Sequence, residues 1–211
     1  MKVISFVGNV DKRILVLPVA KGLSFLGETL IVTDDPNYLR GTQKNLIGSV
    51  KVLLSNNITD NLVSKYDDGV DYQNIIYDTR EFIPSQKDSL IVCRHKDRTL
   101  MIDKITDIVD DIDKNGDVVT ESNEVVITYF VDKKELKKTH YTERGEHTEV
   151  LGKADILELK PSDMRWLWLC EETASIPTIK NTALLGEMAK ILCQKLNMTE
   201  KECAALLSRE S

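Results

Sequence analysis

Residues 3–37 read VISFVGNVDKRILVLPVAKGLSFLGETLIVTDDPN, and this stretch decides the fold. An apolar run (2–7) stops at Gly8, which predicts a buried strand. A helical pattern follows over 12–26, with Gly27 as its C-terminal stop. Pro18 lies inside that pattern and predicts a kink, because it removes an internal hydrogen bond. A second apolar run (28–33) predicts a second buried strand, ended by Asp34-Asp35-Pro36-Asn37. Between the first strand and the helix lies Gly8-Asn9-Val10-Asp11-Lys12-Arg13. A loop in this position can wrap backbone N–H groups around phosphates, with a Lys adding charge.

Outward from this unit, apolar strands are predicted at 50–54, 73–77, 88–93, 124–130 and 154–159. Helices are predicted at 98–110, 163–172, 181–196 and 199–208, the last capped by Thr199. Short apolar strands alternating with helices predict a three-layer α/β fold. Its mostly parallel sheet carries helices on both faces. The chain has 211 residues, which suits one domain, with the polar stretch 132–150 as a surface insertion.

Composition narrows the function classes. The hydrophobic fraction of 42% and charged fraction of 29% are those of a folded soluble protein. No apolar run is long enough to span a bilayer, so no membrane insertion is expected. The N-terminal MKVISFVG reads as a strand and not as a signal peptide. Cys93, Cys170, Cys193 and Cys203 form no C-x-x-C pair and read as buried thiols of a cytoplasmic protein. His95, His140 and His147 are scattered and suggest no metal site. A net charge of −6 does not point to nucleic acid. Lys133, Lys134, Lys137 and Lys138 are the local basic cluster on which a DNA-associated role would rest. Residues 111–122 resemble a calcium loop, but the twelfth position holds Ser122 where Glu is needed, so a surface Asn-Gly turn is expected.

The opening stretch resembles the MinD/ParA family of deviant P-loop ATPases. That family has a K-G-G-x-G-K-S/T loop, a helix ending in L-G and a strand ending in D-x-D-P. Gly8 and Lys12 match. Val7 stands at the family's signature lysine, Asn9 and Asp11 at two glycines, and Arg13 at the Mg²⁺-binding Ser/Thr. Thr33 replaces the first Asp of the second strand, whereas Asp35 and Pro36 match. YQNIIYDTREF (72–82) is similar to the Walker B segment, with Asp78 on its aspartate. The segments at 88–109, 124–130, 151–168 and 176–196 resemble later family elements in the same order, but no Asn ends the 124–130 strand.

The resemblance implies ATP and Mg²⁺ as cofactors, Gly8 to Arg13 as the nucleotide loop, Asp78 as the metal residue, and Asp35 with Asp78 as candidate catalytic groups. The departures argue against turnover. Asp11 puts negative charge where phosphates would sit, and the hydroxyl that ligates Mg²⁺ is lost. Lys12 and Arg13 can instead be first-turn residues paired with Asp11, Asp35 or Asp78. Asp78 can equally cap the turn after its strand.

What the resemblance implies is therefore a degenerate, homodimeric member, similar to TadZ/CpaE-like proteins. It would position, recruit or scaffold protein partners in a pilus, secretion, plasmid or phage assembly. The competing readings are an active or nucleotide-gated ATPase for partition or localisation, and a DNA-associated partition accessory. Trp166 and Trp168 are two apart on a helix and cannot share a face. Core packing is the default for both, and an exposed one would mark a partner surface. The C-terminal tail is too weakly basic for a membrane-binding helix.

Overall fold

The computed structural model describes residues 1–42, 44–95, 124–129, 155–177, 179, 182–196 and 199. Its strands are β1 (Lys2–Val7), β2 (Thr29–Thr33), β3 (Leu46–Ile47), β4 (Val50–Leu54), β5 (Asn74–Thr79), β6 (Ser89–His95), β7 (Glu124–Tyr129) and β8 (Asp155–Leu159). Its helices are α1 (Arg13–Ser24), α2 (Leu62–Lys65), α3 (Pro161–Thr173) and α4 (Thr182–Lys195), with a 3-10 turn at Pro36–Leu39. The helix expected at 98–110, the turn in 111–122, the insertion at 132–150 with its lysines and most of the helix at 199–208 lie outside the described residues.

One sheet runs in the order β3-β4-β2-β5-β1-β6-β7-β8. Every pairing is parallel except β3 with β4. This is the predicted mostly parallel sheet. The β3–β4 hairpin was not predicted, because a two-residue edge strand is too short to show a hydrophobic period.

Alternation along the strands splits the core. Ile4, Phe6, Ile31, Ile76, Ile91 and Cys93 face a large cluster built with α1, α3 and α4. Val3, Leu30, Val32, Ile75 and Tyr77 face the other way, where Leu62 and Val63 of α2 pack against them. Burial of both faces explains why the strands read as continuous apolar runs.

Helix α1 runs through Pro18, which is buried within it. Gly27 follows the helix as expected, but not as a left-handed stop: a Cβ there would sit 2.8 Å from Gln73 Oε1. Register places the site. Parallel pairing sets Phe6 beside Asp78 and Val7 beside Thr79. The loop after β1 therefore emerges over the carboxyl end of β5, where open α/β sheets offer a crevice.

Candidate functional site

The loop leaves β1 through Gly8, whose φ is +134°. A Cβ here would lie 1.8 Å from the Cys93 carbonyl oxygen, so only glycine lets the chain pass the end of β6. The Gly8 N–H donates to the Thr79 carbonyl at 3.0 Å, which ties the loop to β5 as well.

Lys12 is the N-cap residue of α1 and turns back into the loop. Its Nζ donates to the carbonyls of Gly8 at 2.5 Å and Val10 at 3.2 Å. The same Nζ lies 2.8 Å from Asp78 Oδ1, and both side chains are buried. The other oxygen, Oδ2, accepts a hydrogen bond of 2.5 Å from the Tyr38 hydroxyl. Both carboxylate oxygens of Asp78 are thus engaged. Burial disfavours the Lys12 ammonium, but Asp78 outweighs this and holds its pKa above the usual value. Burial pushes the Asp78 carboxyl up, and Lys12 and Tyr38 offset only part of that. Burial, then the Asp78 charge, drives the Tyr38 phenol well above its ordinary range.

Arg13 is held by acids. Its Nε donates to Asp11 Oδ1 at 2.9 Å and its Nη2 to Asp11 Oδ2 at 2.7 Å, a two-pronged pair. Its Nη1 meets Glu171 of α3 and the Asn37 carbonyl, and its Nε lies 3.9 Å from Asp35. Burial opposes the guanidinium charge, but Asp11 and Glu171 overcome it and raise its pKa further. Asp35 caps the 3-10 turn by accepting from the Asn37 N–H at 2.9 Å.

A cleft of about 200 Å³ opens over the loop. Asp11, Asp34 and Asp35 line it, against Lys12 and Arg80 as the cations. Lys12 is already committed to Asp78. Among the described residues, the N–H groups of Asn9, Val10, Asp11 and Lys12 meet no acceptor.

Most of the candidate residues from the sequence therefore come together: Gly8 to Arg13, Asp35 and Asp78 share one site. The tryptophans do not join it. Trp166 is buried and its indole N–H donates to the Pro177 carbonyl at 2.9 Å, so it is not a partner surface. Trp168 is 59% exposed and so departs from the core default. The register of α3 decides this, because Asp163, Trp166, Leu167 and Cys170 form its inward face.

Four further residues were not read from the sequence. Tyr38 and Glu171 reach the site from 40 and 158 positions away, and no local pattern announces either contact. Asp34 and Arg80 were nearer to hand. They flank the matched Asp35 and Asp78 segments, and the Arg80 N–H donates to Asp34 Oδ2 at 3.2 Å.

The structure resembles the MinD cell division protein of Aquifex aeolicus, with a TM-score of 0.53 over 89% of this chain and 94% of that one, at 15% sequence identity. The chain has the MinD fold. No protein-family model matches the sequence, and no curated protein sequence matches it significantly. In this chain the β1–β5 register places the loop beside the β5 carboxylate. Among the described residues, no helix is long and apolar enough to cross a membrane.

Proposed function

We propose that this chain is a MinD/ParA-type protein that has given up nucleotide turnover and serves to position, recruit or scaffold the protein partners of a larger assembly, as TadZ/CpaE-like proteins do. The observation that carries the reading is the buried Lys12–Asp78 pair at 2.8 Å, with Lys12 curled onto the carbonyls of its own loop. The group that would meet phosphate is spent on the group that would hold the metal.

The rest of the loop supports this. Arg13 fills the position of the Mg²⁺-binding hydroxyl and is neutralised by Asp11 and Glu171. Three carboxylates line the cleft, where a triphosphate would add like charge. These residues, so arranged, do not fit Mg-ATP. Nucleotide entry would have to exchange the Lys12–Asp78 contact for contacts to phosphate and metal.

Isothermal titration with Mg-ATP, paired with a phosphate-release assay, tests the proposal. Neither binding nor turnover is expected. Tight binding with turnover would overturn it and favour the active ATPase.

One observation favours a second reading, in which nucleotide binds without turnover. The N–H groups of residues 9–12 meet no acceptor among the described residues, as an anion-binding loop would leave them. Heat on titration with ATP, together with no released phosphate, would select it.

A further inference from the structure

Helix α3 has a second face that the loop does not use. Arg165, Trp168, Leu169 and Glu172 are all exposed, opposite the buried Asp163, Trp166, Leu167 and Cys170. Their spacing of three, four and seven residues makes one continuous stripe along the helix. Trp168 is 59% and Leu169 42% exposed, and they sit beside a groove of about 700 Å³ whose wall includes Pro177, Ile179 and Leu184. A tryptophan left this open, next to an apolar groove, is a candidate interface anchor.

The order of residues on the stripe identifies its occupant. The apolar pair lies at the centre, a cation at one end and an anion at the other. Invert the stripe about the point between Trp168 and Leu169 and it maps onto its own complement. Arg165 then lies opposite the partner's Glu172, and Trp168 opposite the partner's Leu169. A two-fold interface has this self-complementary form, in which the same patch serves both sides and every contact occurs twice. Neither Arg165 nor Glu172 has an ion-pair partner within its own chain among the described residues.

We propose that α3 pairs antiparallel with α3 of a second copy of this chain, with Trp168 and Leu169 at the centre and Arg165 bound to the partner's Glu172 at each end. The two charged ends are about 10.5 Å apart along the helix, the length of two turns, so both ion pairs form in one register. The groove beside Trp168 gives the partner's indole somewhere to bury its edge. The contact is small and polar at its ends, so dimerisation on the order of micromolar is expected. It does not depend on the state of the phosphate loop and is the same with or without Mg-ATP.

Sedimentation velocity on the full chain, over a concentration series at low salt, tests this. The wild type is expected to dimerise, and Trp168→Ala to remain monomeric. Arg165→Glu sets Glu against the partner's Glu172, and Glu172→Arg sets Arg against the partner's Arg165. Each is expected to weaken self-association by about tenfold or more. Mixing the two variants restores both attractions, because each then carries the charges that the other needs. The doubly swapped chain dimerises alone for the same reason. Circular dichroism checks that each variant is folded, and all three positions are exposed. A wild type that stays monomeric, charge variants that dimerise like the wild type, a mixture without recovery, or dimers only with Mg-ATP would each overturn the proposal. Only the last of these also bears on the proposed loss of nucleotide function.

Discussion

Lys12 and Asp78 lie 66 positions apart in the chain and 2.8 Å apart in the fold, buried together beneath the loop that joins β1 to α1. Neither is a surface ion pair of small consequence. Each depends on the other to remain charged away from water.

The pair makes a prediction about stability. Lys12→Met leaves Asp78 buried with, among the described residues, the Tyr38 hydroxyl as its remaining side-chain partner, and is expected to cost about 3 kcal/mol in urea unfolding. Adding Asp78→Asn removes the uncompensated charge, so the double variant should recover much of that loss. Simple additivity in the double-mutant cycle would mean that the two side chains are not coupled.

A pH dependence follows from the same contact. Asp78 holds the folded pKa of Lys12 above its ordinary 10.5. Below pH 10.5 the stabilisation is fully present, and it is lost as the pH rises through the folded value. Urea midpoints measured on the alkaline side should fall more steeply for the wild type than for Lys12→Met. Parallel curves would show that this lysine does not contribute.

The loop itself can be rewritten. Asn9→Gly, Asp11→Gly and Arg13→Thr together remove one carboxylate and the guanidinium and restore the glycines and the hydroxyl. The lost carboxylate and guanidinium cancel in net charge, so the gain comes from glycines that let the loop N–H groups approach phosphate and from a hydroxyl for Mg²⁺. Nucleotide affinity, read by titration with Mg-ATP, should rise by about tenfold, or ~1.4 kcal/mol. Unchanged affinity would show that the Lys12–Asp78 pair alone keeps nucleotide out.

Cys93 and Cys170 should be silent toward thiol reagents. Burial pushes each thiol up to about 12, so almost no thiolate exists at neutral pH. Mass spectrometry after iodoacetamide should find both unmodified in the native protein and alkylated in urea. Rapid native labelling of Cys93 would mean that the β6 end of the loop opens readily.

How much of this was legible beforehand follows from the range of each interaction. The strands at 2–7, 28–33 and 73–77 were readable because a sheet buried on both faces demands continuous apolar runs. Strand β3 was not, since two residues carry no period. The helix at 163–172 was readable from its spacing, but its rotation was not. Trp166 faces the core and Trp168 the solvent because of where α3 meets β8 and the rest of the core.

By itself, the sequence determined the alternation of strands and helices, the position of a phosphate-type loop, and the loss of most of the residues such a loop uses. Local chemistry settles these: hydrophobic period, glycine at a strand end, and the presence or absence of a hydroxyl. Only the tertiary structure decided what the remaining groups do. It brought Asp78 and Tyr38 onto Lys12, and Glu171 onto Arg13, from distant parts of the chain. Charges spread over such separations carry no mark of their partners, because it is the packing of β5, the 3-10 turn and α3 around one loop that brings them within reach.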